Sequence, residues 1–302
     1  VSAIDPHAPT DAGPGSPAEA SRLSALAATL KQALASVPVA IAFVVLCVVV
    51  LMAIFAPWLG TTDPTAIDPA SRLRSMSAEH WLGTDAFGRD TWSRVLYGAR
   101  VSLLVGLGAC LASLALGMVI GVIAGYFRSA DGIIMRIMDG IMSIPSILLA
   151  IALVALSGGT LFTVLVAITV PEVPRVVRLV RGVILSVRSE SYVEAAISLG
   201  TRTPRLLFRH MVPNTIAPLI VQGTHIFAAA ILIESTLSFL GAGLPPAIPS
   251  WGNMMAEGRM YFQLKPGLIG YPGIVLGLTL LSVNILGDVL RDVLDPRMAQ
   301  RS

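Results

Sequence analysis

Phosphate chemistry needs a lysine behind a glycine-rich loop, and this 302-residue chain has only two lysines, Lys31 and Lys265. They stand in Leu-Lys-Gln and Leu-Lys-Pro, so the Gly-x-x-x-x-Gly-Lys-Ser/Thr cradle for a nucleotide is not encoded. No His-Glu-x-x-His or Gly-x-Ser-x-Gly run occurs, which argues against a metalloprotease or a serine hydrolase. The histidines His7, His80, His210 and His225 show no ligand spacing with Cys47 and Cys110. Both cysteines lie inside long apolar runs, where a thiol serves as a small hydrophobe. No catalytic residue, metal or cofactor is expected on this chain. What remains are acids and bases inside or beside apolar runs, chiefly Glu172, Glu234 and the basic stretch 175–213.

The elements that position these groups must be solvated by lipid. Hydrophobic residues make up 55% of the chain and charged residues 13%, about half the charged share of a soluble domain. Mean hydropathy is +0.78. A polar shell cannot be built from this composition. The net charge of +3 does not point to nucleic acid, because the arginines sit between apolar runs rather than in a groove-lining cluster.

Residues 1–36 read as a cytosolic tail. Residues 1–20 have a disordered composition, and Leu23, Leu26, Leu30 and Leu34 give 21–35 the spacing of a surface helix or of a plain lead-in. The uncharged run within 37–59 spans about 33 Å as a helix, enough for the hydrocarbon core, and is expected to be the first crossing. Residues 60–100 carry ten charged side chains and are expected to form an external subdomain. Within it, the run from Gly88 to Gly98 reads either as an interfacial helix whose arginines reach headgroups or as a solvated charge cluster. Residues 101–290 form the core. Val101–Phe127 is uncharged and carries Gly106, Gly108, Ser113, Gly117, Gly121 and Gly125, a small-residue stripe that other helices should face. A third helix is expected from near Gly132 to Leu156 and a fourth from Leu161 past Pro171, Glu172 and Pro174. A fifth is expected over about Asn214–Leu240 and a sixth over about Gly267–Leu286. Residues 291–302 make a charged tail in which Asp288, Arg291, Asp292 and Asp295 have helical pairing distance.

Six crossings put both termini on one side. The segments on that side hold fourteen of the basic residues and the opposite segments seven, so both termini are expected in the cytosol. An acid inside a crossing marks either a transport path or a side chain that snorkels to the interface, and Glu172 fits both. Glu234, with Ser235, Thr236 and Ser238, is expected at the path or a subunit interface, against local helix capping. Trp251 is expected to anchor the outer interface.

The loop 186–213 contains Ser-Glu-Ser-Tyr-Val-Glu-Ala-Ala-Ile-Ser-Leu-Gly-Thr-Arg-Thr-Pro over 189–204. Ser191 and Glu194 have capping-box spacing, Gly200 suits a left-handed C-cap, and Thr203-Pro204 suits an N-cap and N1 pair. Pro213 ends the second helix or starts the next. Two short helices about a glycine make a knob that a soluble partner can grip.

Glu194-Ala195-Ala196, Gly200 and Met211-Val212-Pro213 together resemble the EAA loop of bacterial ABC importer permeases. Leu82-Gly83-Thr84-Asp85, Gly88-Arg89-Asp90, Glu234-Ser235-Thr236-Leu237-Ser238, Pro249-Ser250-Trp251-Gly252 and Asn284-Ile285-Leu286-Gly287-Asp288 resemble the dipeptide/oligopeptide permeases of the OppC/DppC type. The likeness covers about residues 37–297. Met211-Val212 stands where the family usually has Ile-Leu, and Thr203 where an acid is common.

The resemblance implies an all-α membrane protein with six transmembrane helices in the type I ABC importer permease fold. It implies a bacterial inner-membrane location and half of a translocation path for di- or oligopeptides. It also implies a second, similar permease subunit, cytosolic ATP-binding subunits that hold the ATP and Mg, and an extracytoplasmic peptide-binding protein. Glu194, Ala195, Ala196, Gly200, Arg205 and Pro213 would couple to the ATPase, while Glu172, Glu234 and Ser238 would line the path or the subunit interface. The alternatives are an importer of nickel or another small solute, a passive channel, or an ion-coupled secondary transporter.

Overall fold

The computed structural model describes residues 36–294. The expectations for the tail 1–35 and for Asp295 lie outside the described residues. Ten α-helices follow one another within that range. They are α1 (Val37–Phe55), α2 (Thr91–Tyr126), α3 (Arg128–Met142), α4 (Ser146–Ser157) and α5 (Leu161–Arg188), then α6 (Ser191–Ser198), α7 (Thr203–Leu206), α8 (Pro213–Phe239), α9 (Trp251–Gly258) and α10 (Gly267–Leu294). A π-turn over Leu207–Met211 joins α7 toward α8. The described residues contain no strand beyond one isolated bridge, Thr84 to Asp90.

Four helical segments are long and apolar enough to cross a membrane: Val37–Trp58, α2, α8 and α10. The expected third helix is broken. α3 and α4 meet at 87° and make a fifth crossing only if the bent pair counts as one. The cause is Pro145, which has no N–H to give and disfavours helical dihedrals at Ile144 before it. α5 has the expected start and runs 28 residues through Pro171 and Pro174. Glu172, Arg175, Arg178 and Arg181 lower its apolarity, so the expected six crossings are met only in part. The helix boundaries also shift. α2 begins at Thr91, inside the segment 60–100 that its charge had set apart, and α10 runs to Leu294 across the expected start of the tail.

α2 is the central strut, packed along α5 and α8, while α1 lies on α10 and α2. The small-residue stripe explains the α2–α5 contact. Gly117, Gly121 and Gly125 face Val176, Val180 and Ile184, so the same four-residue spacing runs along both helices. A Cβ added to these glycines would lie 2.4, 2.7 and 2.7 Å from the partner Cβ atoms. Such backbone approach replaces the missing hydrophobic drive between helices in lipid with van der Waals packing. Gly106 meets α8 instead, against Ile231 and Phe227. The α2–α5 seam continues without a gap into a buried cluster that includes Val193, Ala196, Leu206 and Met211 of the loop below.

Candidate functional site

The loop after α5 folds as an elbow. α6 ends in a Schellman motif, in which the Gly200 N–H donates to Ile197 O at 2.9 Å and the Thr201 N–H to Ala196 O at 3.0 Å. Gly200 holds φ +74°, the left-handed conformation that the motif requires. The expected capping box does not form. α6 starts at Ser191 itself, with Glu190 as its N-cap and no side-chain cap bond. Thr203 likewise is the first residue of α7, not its cap, and pairs with the Tyr126 hydroxyl at 3.4 Å. Pro213 opens α8.

Helical spacing turns one face of the elbow inward. Val193 and Ala196, one turn apart, are buried with Leu206 and Met211 against α5. Of the six sequence candidates, Glu194, Ala195, Gly200, Arg205 and Pro213 are exposed on the outer side, while Ala196 packs inward. The side chains that project furthest were not among the candidates. Leu199 is 87% exposed and Phe208 75%. A leucine after Ala-Ala-Ile-Ser and a phenylalanine between a leucine and an arginine read as core in a sequence; here Leu199 precedes the left-handed Gly200 and Phe208 lies in the π-turn.

One tether fixes the root of the elbow to the bundle, and ion pairs from α5 brace the helix beside it. Arg188 donates to Tyr126 O at 3.1 Å and stacks over the Tyr126 ring, so the end of α5 is tied to the end of α2. Arg181 makes a bidentate pair with Asp131 at 2.5 and 2.7 Å, and Arg178 reaches Asp139 at 2.5 Å, which holds the bent α3 against α5.

The acids singled out in the crossings are paired inside the chain. Glu172 is 1% exposed and accepts from Arg175 at 3.0 and 3.1 Å. Glu234 is fully buried and accepts from Ser238 at 2.9 Å, with Ser102 and Ser235 at 3.4 Å. Ser238 is itself buried. Trp251 does not sit at an outer interface but is fully buried, its indole N–H donating to Val95 O at 3.1 Å. No ion pair forms among Asp288, Arg291 and Asp292.

The run from Gly88 to Gly98 fits neither of its expected readings. Arg89 and Arg94 are buried in a knot with two acids. Arg89 reaches Asp85 at 2.6 Å and also Glu257 of α9, while Arg94 reaches Asp85 at 2.5 Å and Glu257 at 2.6 Å. Asp90 caps α2 through Ser93, with N–H and hydroxyl contacts at 2.8 and 2.6 Å, and holds His80 at 3.0 Å. Gly88 has φ +77°, and a Cβ there would strike the Asp68 carbonyl. Asp68 caps the short turn Pro69–Ser71, and hydrogen bonds from the Ser71 side chain and the Ala70 N–H hold its carboxyl below the usual carboxylate range. Among the described residues no group of three or more His, Cys, Asp or Glu is placed to hold a metal.

The sequence that folds into this bundle matches a known family. Residues 117–300 fit the sequence profile of the binding-protein-dependent transport system inner membrane component. The chain belongs to this family. Similar proteins include a probable peptide ABC transporter permease protein, y4tQ, of Sinorhizobium fredii, 52% identical over 251 residues that cover 83% of this chain and 86% of that one. The dipeptide transport system permease protein DppC of Alkalihalophilus pseudofirmus is 45% identical over 82% of each chain. The oligopeptide transport system permease protein OppC of Bacillus subtilis is 36% identical over 85% of each. Among solved structures, a chain of the methionine ABC transporter MetNI in an inward-facing conformation superposes with a TM-score of 0.55. It covers 66% of this chain and 95% of its own at 18% identity, and shares the fold. The inner-membrane component described here is thus a multi-pass helical transport subunit, and its elbow falls inside the family match.

Proposed function

We propose that this chain is the permease subunit of an ATP-driven importer of di- or oligopeptides, with the elbow over 186–213 gripped by a cytosolic ATP-binding subunit. The observation that carries the reading is the elbow itself. Leu199 at the Schellman turn and Phe208 in the π-turn are both exposed, on a loop tied by Thr203 and Arg188 to the end of α2. Large apolar side chains held out at the end of a helical strut fit a protein socket better than water. The names of the relatives, peptide, dipeptide and oligopeptide permeases, support the substrate class.

α5 serves as a further crossing, and the bent pair α3–α4 as another, which gives six. The Asp131 and Asp139 pairs offset the charge that Arg178 and Arg181 bring to the cytosolic end of α5. Residues 1–36 and 291–302 lie on the cytosolic side with the elbow, and 60–90 on the outer side, where a substrate-binding protein docks. A second, similar permease completes the path. ATP and Mg bind the ATPase subunits; their closure moves the elbow, and α2 and α5 carry the motion across the membrane as rigid struts. An ion-coupled transporter is disfavoured because Glu172 and Glu234 are each already satisfied by partners in the chain.

Gly200→Val tests this reading. Nothing lies within 4 Å of a Cβ at position 200, so the substitution adds only left-handed strain, about 1–2 kcal/mol. The expected result is a membrane-inserted complex whose ATP hydrolysis no longer drives uptake of a labelled dipeptide in vesicles. Unchanged ATP-driven uptake would count against it.

A further inference from the structure

A cavity of about 730 Å³ opens between the lower half of α8, Leu179 of α5 and the end of α10. Its α8 wall carries Asn214, Pro218, Gln222 and His225, a single face at helical spacing, and Arg291 closes it from α10. His225 lies roughly 18 Å along α8 from its cytosolic start, near the middle of a crossing. Gln222 is half-buried, while His225 and Arg291 are exposed. None of the three forms a hydrogen bond or ion pair among the described residues, whereas Glu172 of α5 and Glu234 farther along α8 are each paired within the chain. The opposite face of α8 turns Ile216 and Ile220 outward, 51% and 43% exposed. α8 therefore has one face made for lipid and one that hydrocarbon would penalise.

α10 supplies the remaining charge selectively. Gly287 lets α10 touch Thr224, beside His225, where a Cβ would lie 2.5 Å from the threonine Oγ1. That approach brings Arg291 to the cavity wall, while Asp288 and Asp292 are not among its lining residues. The wall thus offers an amide pair, an imidazole and one guanidinium, with no facing acid among its residues. This set matches a chain of peptide groups ending in a carboxylate, held by a few weak contacts rather than one tight site.

We infer that this cavity is the inward section of the solute path and that Gln222, His225 and Arg291 contact the moving peptide, Arg291 its terminal carboxylate. The inference rests on the importer reading above and names the residues of its path.

The test uses the whole importer in inside-out membrane vesicles, with Gln222→Cys or Ile220→Cys in this chain and a charged, membrane-impermeant methanethiosulfonate as probe. The parent protein, whose Cys47 and Cys110 stand in apolar crossings, supplies the background. The thiol of the Gln222→Cys variant is expected to react at least about tenfold faster than that of Ile220→Cys, because the reagent needs a hydrated thiolate. Modification at position 222 should block dipeptide uptake. Equal rates at the two positions, or a modified Gln222→Cys protein that still takes up dipeptide, would overturn the assignment. Arg291→Ala should cut uptake of alanyl-alanine about tenfold and spare alanyl-alanine amide, while Arg291→Lys restores most of it. An equal loss for both substrates would overturn the carboxylate role. If the parent takes up no peptide, the importer reading fails first; the labelling rates of the two variants still report whether the cavity is wet.

Discussion

At one end of α2 the molecule pairs two buried arginines with a buried and a half-buried acid, and at the other it holds a leucine and a phenylalanine out in the open. In the knot of Asp85, Arg89, Arg94 and Glu257 each charge meets an opposite one within the chain, and Arg94 Nε and Nη2 with Glu257 Oε1 are left without a hydrogen-bond partner. The elbow's inner face is finished by Val193, Ala196, Leu206 and Met211, and its outer face is left to Leu199 and Phe208. The first region is held by ion pairs within the chain, and the second leaves apolar tips exposed, which is what the proposed docking of an ATP-binding subunit would cover. α2 connects them, with Arg94 in its first turn and Tyr126, against Thr203, in its last.

That contrast breaks or sharpens by mutation. The largest effect on stability should come from Arg94→Ala. It leaves buried Asp85 and half-buried Glu257 with one cation fewer and should cost about 3–5 kcal/mol, seen as a lower Tm of the detergent-purified subunit. A cost below about 1 kcal/mol would mean that the knot is hydrated and does not hold the outer end. Next, Asp90→Ala removes the cap of α2 and its two contacts to Ser93, for a loss of about 1–2 kcal/mol. Ser191→Ala, by comparison, should change Tm by less than the equivalent of about 0.5 kcal/mol, since Ser191 caps nothing. The smallest effect on stability, within about 0.5 kcal/mol, is expected from Phe208→Ser. That variant should nonetheless lose co-purifying ATP-binding subunit. Lower stability with intact co-purification would reverse the roles assigned to the two ends.

Much of this was legible in the sequence because lipid imposes simple rules. Uncharged runs of crossing length marked α1, α2, α8 and α10, and glycines four apart marked the face of α2 that meets α5. Gly200 announced its own conformation, since few other residues occupy it. Charge misled where pairing was invisible. Arg89 and Arg94 marked 60–100 as polar surface, yet Asp85 and Glu257 take both guanidiniums inside and let α2 begin at Thr91. Glu257 lies more than 160 residues from Arg94 in the chain, a separation that no local pattern bridges. The bend between α3 and α4 had its signal in Pro145, but an uncharged run of 32 residues masked it. The capping spacing at Ser191 and Glu194 was real and went unused, because the chain leaves α5 through Ser189 and Glu190 with backbone bonds already closing the turn.

The measurement closest to the central claim is photo-crosslinking from the elbow. A photoreactive amino acid placed at position 199 or 208 of the intact complex in native membranes should capture an ATP-binding subunit. The yield should change when a non-hydrolysable ATP analogue is added. Capture of lipid alone, or of an extracytoplasmic protein, would contradict the account.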